Sequence, residues 1–523
     1  MRSPLVTTGR VTTESHEFEF LLELDENRNV LGGEWVCSSK GHPDFLWFTT
    51  ERPSEKNIKN EPTSPASKCF QSHHGGHTDA SSLFRCFGQR HPVTVQASPI
   101  EFNPYHPLPV GVKLNKANPA YGALTEDAVP PVLLEAPIVD NSTNTTTAPR
   151  RMEVTEHTSH DIQSLEEFFN TKMEINYNTI KSKYDTYTVN PAPWPSSYWP
   201  IYADGINQRW AGRNVPAPSE KYAKAFGLDV DELTDAISYN NGVMSQSGNK
   251  ECTSDDECDN GEACGKRRGE SSGYCIATWF GVCHAWAPAA ILEPEPKCPV
   301  TYNGVTFQPY DIKALLTQIY DGADVGTVFT GARYDGAKDT KDRFGRFVDP
   351  SHRDLGPGFF HIALTNIMGR FKQSFVVDVD ADSAVWNQPV LSYNTWSSWA
   401  LPAKIATPLF FPFTFKYPFN SAAKYMAFVQ TELQWIGEMR QDGPLVSTGR
   451  YRERVGKKTY HYLLELDENH NIIGGEWLYG SKADHPDFLW FSTERPSEDA
   501  ITNVGLSYAN VQKLLQESIS KNC

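Results

Sequence analysis

No run in the chain reaches the roughly 18 consecutive apolar residues that a bilayer-spanning helix needs, so nothing reads as a membrane span. The opening stretch, MRSPLVTTGRVTTESHEFEF, lacks the apolar core of a secretory signal. Basic residues are in deficit. Lys and Arg number 48 against 64 Asp and Glu, for a net charge of −16. That balance argues against nucleic acid and anionic membranes as partners, because both need a basic surface. Neither nucleic-acid binding nor membrane insertion is expected. Zinc-type cysteine spacing is missing too. The gaps between Cys252, Cys258, Cys264 and Cys275 are five, five and ten residues, longer than a zinc site uses. The D-x-N-x-N pattern in LDENRN lacks Gly at the sixth and Glu at the twelfth loop position, so it is not read as a calcium loop.

What is present starts with those cysteines. CTSDDECDNGEACGKRRGESSGYC has almost no apolar residues to hold it folded. A knob with two disulfides among Cys252, Cys258, Cys264 and Cys275 is the expected structure, with the pairing left open, and it implies an oxidising compartment. Asn141 and Asn144 in NSTNTTT are two glycosylation sequons in a Ser/Thr/Pro-rich stretch. Together these features favour secretion, against the missing signal peptide. A chain of 523 residues also implies two or more domains.

One long segment occurs twice. PLVTTGR at 4–10 returns as PLVSTGR at 444–450, and LLELDENRNVLGGEW at 21–35 as LLELDENHNIIGGEW at 463–477. HPDFLWFTTERPSE at 42–55 returns as HPDFLWFSTERPSE at 485–498. Each copy reads as a β-hairpin turning at DEN-N. The C-terminal copy is expected to join the main fold through Leu463, Leu464, Leu466, Ile472 and Ile473. The N-terminal copy is read as a leftover or a built-in inhibitor. Between the copies, the His-rich SHHGGHTD reads as a disordered polar tract, and 91–151 as Pro-rich extended chain.

Cys283, in ATWFGVCHAWAPAAILEP, has a different setting from the knob cysteines. An apolar helix follows it directly, and Pro288 is expected within the first turn. A thiol at a helix N-terminus has its pKa lowered by the helix dipole, which favours the reactive thiolate. The alternatives are a buried structural cysteine or a disulfide with Cys298. A thiolate nucleophile needs a base and an orienting acid. His361 in GPGFFHIALTN and Asp378 in SFVVDVDAD fit if 359–365 and 374–379 are neighbouring antiparallel strands. Asp380 is the reserve acid. DVDAD has Ser383 and Pro389 at the diagnostic loop positions and is no EF-hand.

WFGVCHAWAPAA, NPAPWPSSYWPIYADGIN, GFFHIALTN, SFVVD and VWNQPV occur together and in order. They resemble the secreted transglutaminase elicitors of oomycetes, from about residue 152 onward. The resemblance implies a Ca²⁺-dependent protein-glutamine γ-glutamyltransferase with Cys283 as nucleophile and His361 and Asp378 completing the site. It implies protein substrates with accessible Gln and Lys, and a plant immune receptor as partner. It also implies that Val385, Trp386, Asn387, Gln388 and Pro389 open a surface segment that triggers plant defence. Here that segment continues as LSYNTW, without the family's basic stretch. The expected organisation is a partial duplicate at 1–56, a largely disordered linker or pro-region at 57–151 and a catalytic region at 152–523. That region includes the knob at 252–275 and the hairpin segment at 446–498. The expected fold class is α+β: a papain-like or transglutaminase-like core with a helix-start nucleophile, an antiparallel sheet and a disulfide-rich loop. A papain-like cysteine protease or deamidase, and a non-catalytic recognition protein, are the alternative functions.

Overall fold

The computed structural model describes three strands near the N-terminus, residues 108–121, and residues 159–523 apart from 335, 337 and 383. The chain forms two compact units, Met1–Thr94 and Val95–Cys523. The sequons Asn141 and Asn144 and the SHHGGHTD tract lie outside the described residues.

In the first unit, β1 (Leu5–Thr12), β2 (Glu17–Leu24) and β3 (Val30–Cys37) form an antiparallel sheet in that order. The second unit carries a ten-stranded sheet. Its strands include β4 (Val112–Lys113), β5 (Thr186–Thr188), β6 (Gly326–Gly331), β7 (Val376–Asp378) and β8 (Asn387–Ser397). Then come β9 (Tyr425–Ile436), β10 (Val455–Leu466), β11 (Ile472–Trp477) and β12 (Phe488–Ser492). The order across the sheet is β11-β10-β9-β8-β7-β12-β6-β4, with β5 beside β8 and Leu401–Pro402 beside β9. Every one of these pairings is antiparallel.

The C-terminal copy of the repeat is therefore part of the main sheet. Along β10 the side chains alternate. Tyr460, Tyr462, Leu464 and Leu466 enter one apolar core, and Leu463 enters another on the opposite face. Ile472 is buried and Ile473 half-buried. The two copies pair in the same register: Leu22 faces Gly33 as Leu464 faces Gly475, with a bulge one step on in each. The DEN-N turn is an Asx turn. Asp467 Oδ1 accepts the N–H groups of Asn469 and Asn471 at 2.8 Å, which explains the motif without a cation.

The helices that matter most are α1 (His160–Phe169), α2 (Cys283–Leu292), α3 (Pro309–Gly322), α4 (Pro357–Leu364), α5 (Ala403–Phe410) and α6 (Tyr508–Ser520). The stretch SLEEFFNTKMEINYNTIKSKY at 164–184 runs through two helices, α1 and Tyr177–Lys183. Two short helices over SEKYAKAFGLDVDELTDAI are present, at Pro218–Phe226 and Val230–Asn241. The proline-rich stretch before them buries Trp194 and Trp199 completely. α2 is apolar all round and buried from Cys283 to Ala290, packed against α3 and β8.

Three expectations need correction. The stretch 357–364 is a helix, so it forms no strand pair with 374–379. Pro357 opens it at the position where a missing N–H costs nothing. Pro288 is the sixth residue of α2 and lies inside the helix, because the helix begins at Cys283 itself. And part of the region read as linker is built into the fold. Leu114 and Ala120 are fully buried, and β4 pairs with Gly326 and Thr327.

Candidate active site

Two residues shape the entry to α2. Val282 N–H donates to Tyr198 O at 2.7 Å. A Cβ on Gly281 would lie 2.4 Å from that same oxygen, so the close approach requires glycine. Cys283 follows as the first helical residue, where its own N–H has no intrahelical acceptor. It is buried and free of any disulfide. Cys298, its alternative partner, is bonded to Cys523.

Cys283 Sγ lies 3.6 Å from Asn387 Nδ2 and 3.7 Å from Val385 O. The carboxamide of Asn387 cannot turn freely. Its Oδ1 accepts Trp490 Nε1–H at 2.7 Å, and its Nδ2 also donates to Ala120 O at 2.8 Å. Burial pushes the Cys283 thiol up to about 11, while the backbone and side-chain donors of Asn387 pull the other way. The negative charges of Glu438 and Asp378 add to the rise. Burial is the largest of these influences, so the thiol pKa is raised and not lowered as expected at the helix start.

Asp378 is fully buried on β7, and burial holds its carboxyl well above the usual range. Its Oδ1 accepts Trp386 N–H at 3.2 Å. The Asp378 charge reaches Cys283, adding to the rise of the thiol pKa. His361 sits on α4 with Nδ1 2.8 Å from the Tyr462 hydroxyl oxygen. Burial pushes its pKa down to about 3. The pairing expected from adjacent strands fails because α4 replaces one of them. Asp380 is engaged elsewhere, in an ion pair with Lys458.

The Val385–Pro389 segment was expected on the surface. It is buried except for Trp386, which is half-buried and meets the Tyr198 ring edge-on at 6.0 Å. The segment forms the wall against Cys283. Gln388 Nε2 donates to Glu438 Oε1 at 2.7 Å, tying that acid to the same wall.

Sequence reading missed four residues here. Asn387 stood only within the VWNQP segment, with no sign of contact with Cys283. His284 Nε2 lies 2.9 Å from Asp321 Oδ1, both buried, and Asp321 also accepts the Tyr121 hydroxyl at 2.9 Å. Tyr121 stacks on His284 at 4.0 Å. These contacts join residues 37, 104 and 200 positions apart and leave no local pattern, although a histidine directly after Cys283 is a visible cue.

The knob forms as expected, with Cys252 bonded to Cys264 and Cys258 to Cys275. Calcium fits less well. Asp378 and Asp487 are buried and Asp354 is half-buried, and each keeps one oxygen without a hydrogen-bond partner. Yet among the described residues the one trio of candidate metal ligands converging within 4.8 Å is Cys252, Cys258 and Cys275, whose sulfurs are spent in disulfides. The described carboxylates do not form a ready calcium cage.

A family model of transglutaminase elicitors matches residues 1–64 and 161–523. The crystal structure of the GP42 transglutaminase from Phytophthora sojae is similar to the chain at 46% identity, with a TM-score of 0.62. That match covers 69% of this chain and 98% of the other. No curated protein matches.

Proposed function

Because the chain belongs to the transglutaminase elicitor family, we propose that it is an extracellular protein-glutamine γ-glutamyltransferase with Cys283 as its nucleophile. The observation that carries this reading is the pair of Asn387 donors aimed at a buried cysteine free of any disulfide, at the start of a buried helix. Three disulfides fit an oxidising, extracellular setting.

In this reading Cys283 Sγ attacks the γ-carboxamide carbon of a substrate glutamine. The C–N bond breaks, the thiol proton leaves with ammonia, and a thioester remains. A lysine ε-amine then attacks the thioester. An isopeptide bond forms, the C–S bond breaks, and the amine proton restores the thiol. Asn387, with the N–H of Cys283 itself, supplies donors for the oxyanion of each tetrahedral state. Trp386 and Tyr198 form an aromatic wall beside Val385 that excludes water and so limits hydrolysis of the thioester. Asp378 is the acid in this reading, and its charge acts on the thiol. His361 as base has its contact with Tyr462 against it. His361→Ala is therefore expected to lower stability by about 1–3 kcal/mol, through the cavity left by the buried imidazole, more than it lowers turnover. A loss of turnover with unchanged melting would restore His361 as the base. No step is routed through calcium.

Dansyl-cadaverine incorporation into casein tests the reading, in wild type and Cys283→Ala, with calcium and with chelator. Wild type should incorporate the amine and Cys283→Ala should not. Peptide cleavage without amine incorporation would favour a papain-like protease. The elicitor role belongs to the same proposal, with a plant receptor as the partner. A Cys283→Ala chain that keeps full defence-triggering effect would separate recognition from catalysis.

A further inference from the structure

Eleven large apolar side chains are exposed among the described residues, and six of them fall within residues 396–415. They are Trp396, Trp399, Ile405, Leu409, Phe413 and Phe415, exposed by 60%, 83%, 55%, 57%, 98% and 85%. Single exposed apolar residues need no explanation, but a cluster does. The cluster is continuous. Trp396 and Phe410 both flank the Phe428 ring, at 6.1 and 5.8 Å. Leu401, Leu409, Phe410, Met426 and Phe428 line a groove of about 240 Å³ beneath it. Phe413 and Phe415 project from the turn that follows α5.

The charge around this face runs against the rest of the chain. From Ser383 to Thr431 there is no Asp or Glu, although the whole chain carries 64 of them. The same stretch holds Lys404, Lys416 and Lys424, all exposed. Lys181 adds its ammonium over the Trp399 ring at 4.7 Å. Protruding Phe and Trp with aliphatic neighbours, lysines at the rim and no acid within 383–431 make the chemistry of an interfacial membrane anchor. The net charge of −16 does not forbid the contact, because charges beyond about 8 Å are screened at physiological salt while the local lysines are not.

We propose that the face formed by Trp396, Trp399, α5 and the Phe413–Phe415 turn docks on the surface of an anionic phospholipid bilayer. The aromatics enter the headgroup boundary and the lysines meet the lipid charge. The proposal does not depend on the transglutaminase reading, since binding is measured without activity.

The test is cosedimentation of the full chain with phosphatidylcholine vesicles, with and without phosphatidylserine. Wild type should bind the mixed vesicles and bind pure phosphatidylcholine more weakly. Phe413→Ser and Phe415→Ser should each weaken binding by about tenfold or more, with melting temperature unchanged. Lys404→Glu with Lys416→Glu should remove the preference for the anionic lipid. Absence of binding to either vesicle would overturn the proposal. So would equal binding to both, or binding untouched by the Phe variants. A concentration-dependent dimer that Phe413→Ser dissolves, with vesicles left unbound, would assign the face to a second copy of the chain and overturn it too.

Discussion

Asn387 has three partners at once. It takes a hydrogen bond from Trp490, gives one to Ala120, and holds its remaining N–H toward Cys283. Fixed donors lower a thiol pKa only when they cannot swing away, and the Trp490 contact fixes this one. Asn387→Ala should cost about 10²–10³ in kcat for amine incorporation, the usual loss of one oxyanion donor. It should also move iodoacetamide inactivation of Cys283 to higher pH, because its donors hold the thiol below where burial alone would put it. An unchanged inactivation profile would leave Asn387 as a packing residue. Glu465 is a second buried group with a readable effect. Burial lifts its pKa to about 8, with Tyr417 and Asn420 donating to it. A carboxyl raised in the folded state stabilises the fold fully below its unfolded value near 4.5 and loses that contribution as pH rises through about 8. Wild type should thus lose melting temperature between pH 5 and 8 relative to Glu465→Gln, which carries no such titration. Parallel curves for the two proteins would remove Glu465 from the pH response.

At the scale of elements, the repeated Gly-Gly is explained by what lies against it. A Cβ on Gly474 would stand 1.7 Å from Glu465 Oε2, and one on Gly475 would stand 2.9 Å from the N of Gly358 in α4. The hairpin must therefore be bare where α4 crosses it. Gly474→Ala should cost about 1–3 kcal/mol by overpacking, read as a lower melting temperature. This hairpin was legible in the sequence because its signals are local: alternation along the strands, an Asx turn, and glycines at fixed offsets. The disulfide knob was legible for the same reason, since polar composition around closely spaced cysteines leaves few other structures. The helix starting at Cys283 could be read from its apolar run. The run at 357–364 could not be typed by periodicity, since eight apolar residues suit a buried helix or strand equally, and Pro357 was the deciding cue. The same PLV-x-TGR segment also takes two forms. It is β1 in the first unit, while in the second it leads into a 3₁₀ turn at Arg450–Arg454, because β9 already occupies that edge of β10. Only tertiary pairing decides between them.

At the scale of the whole molecule, what shields Cys283 comes from far away in the chain. Ala120 O accepts from Asn387, Tyr121 covers His284, and Leu114 and Ala120 are buried in the core that also holds Ala287 and Trp490. Those residues lie upstream of the region that carries every family motif, in a stretch whose own sequence reads as extended linker. They belong to the unit Val95–Cys523, whereas the duplicate hairpin belongs to Met1–Thr94. Each unit has its own sheet. Deleting residues 1–94 should therefore leave the melting temperature of the second unit and the labelling rate of Cys283 near those of the full chain. Deleting 1–121 removes β4 from the sheet edge, the Ala120 carbonyl from Asn387 and the Tyr121 hydroxyl from Asp321. Melting should then fall, and a small alkylating agent should reach Cys283 faster. The comparison of the two deletions, by iodoacetamide labelling of native protein followed by peptide mapping, decides what covers the thiol. If the shorter deletion already speeds labelling as much as the longer one, the duplicate hairpin is the shield. If neither does, the thiol is buried by the catalytic region itself, and the segment at 108–121 is an edge strand and nothing more.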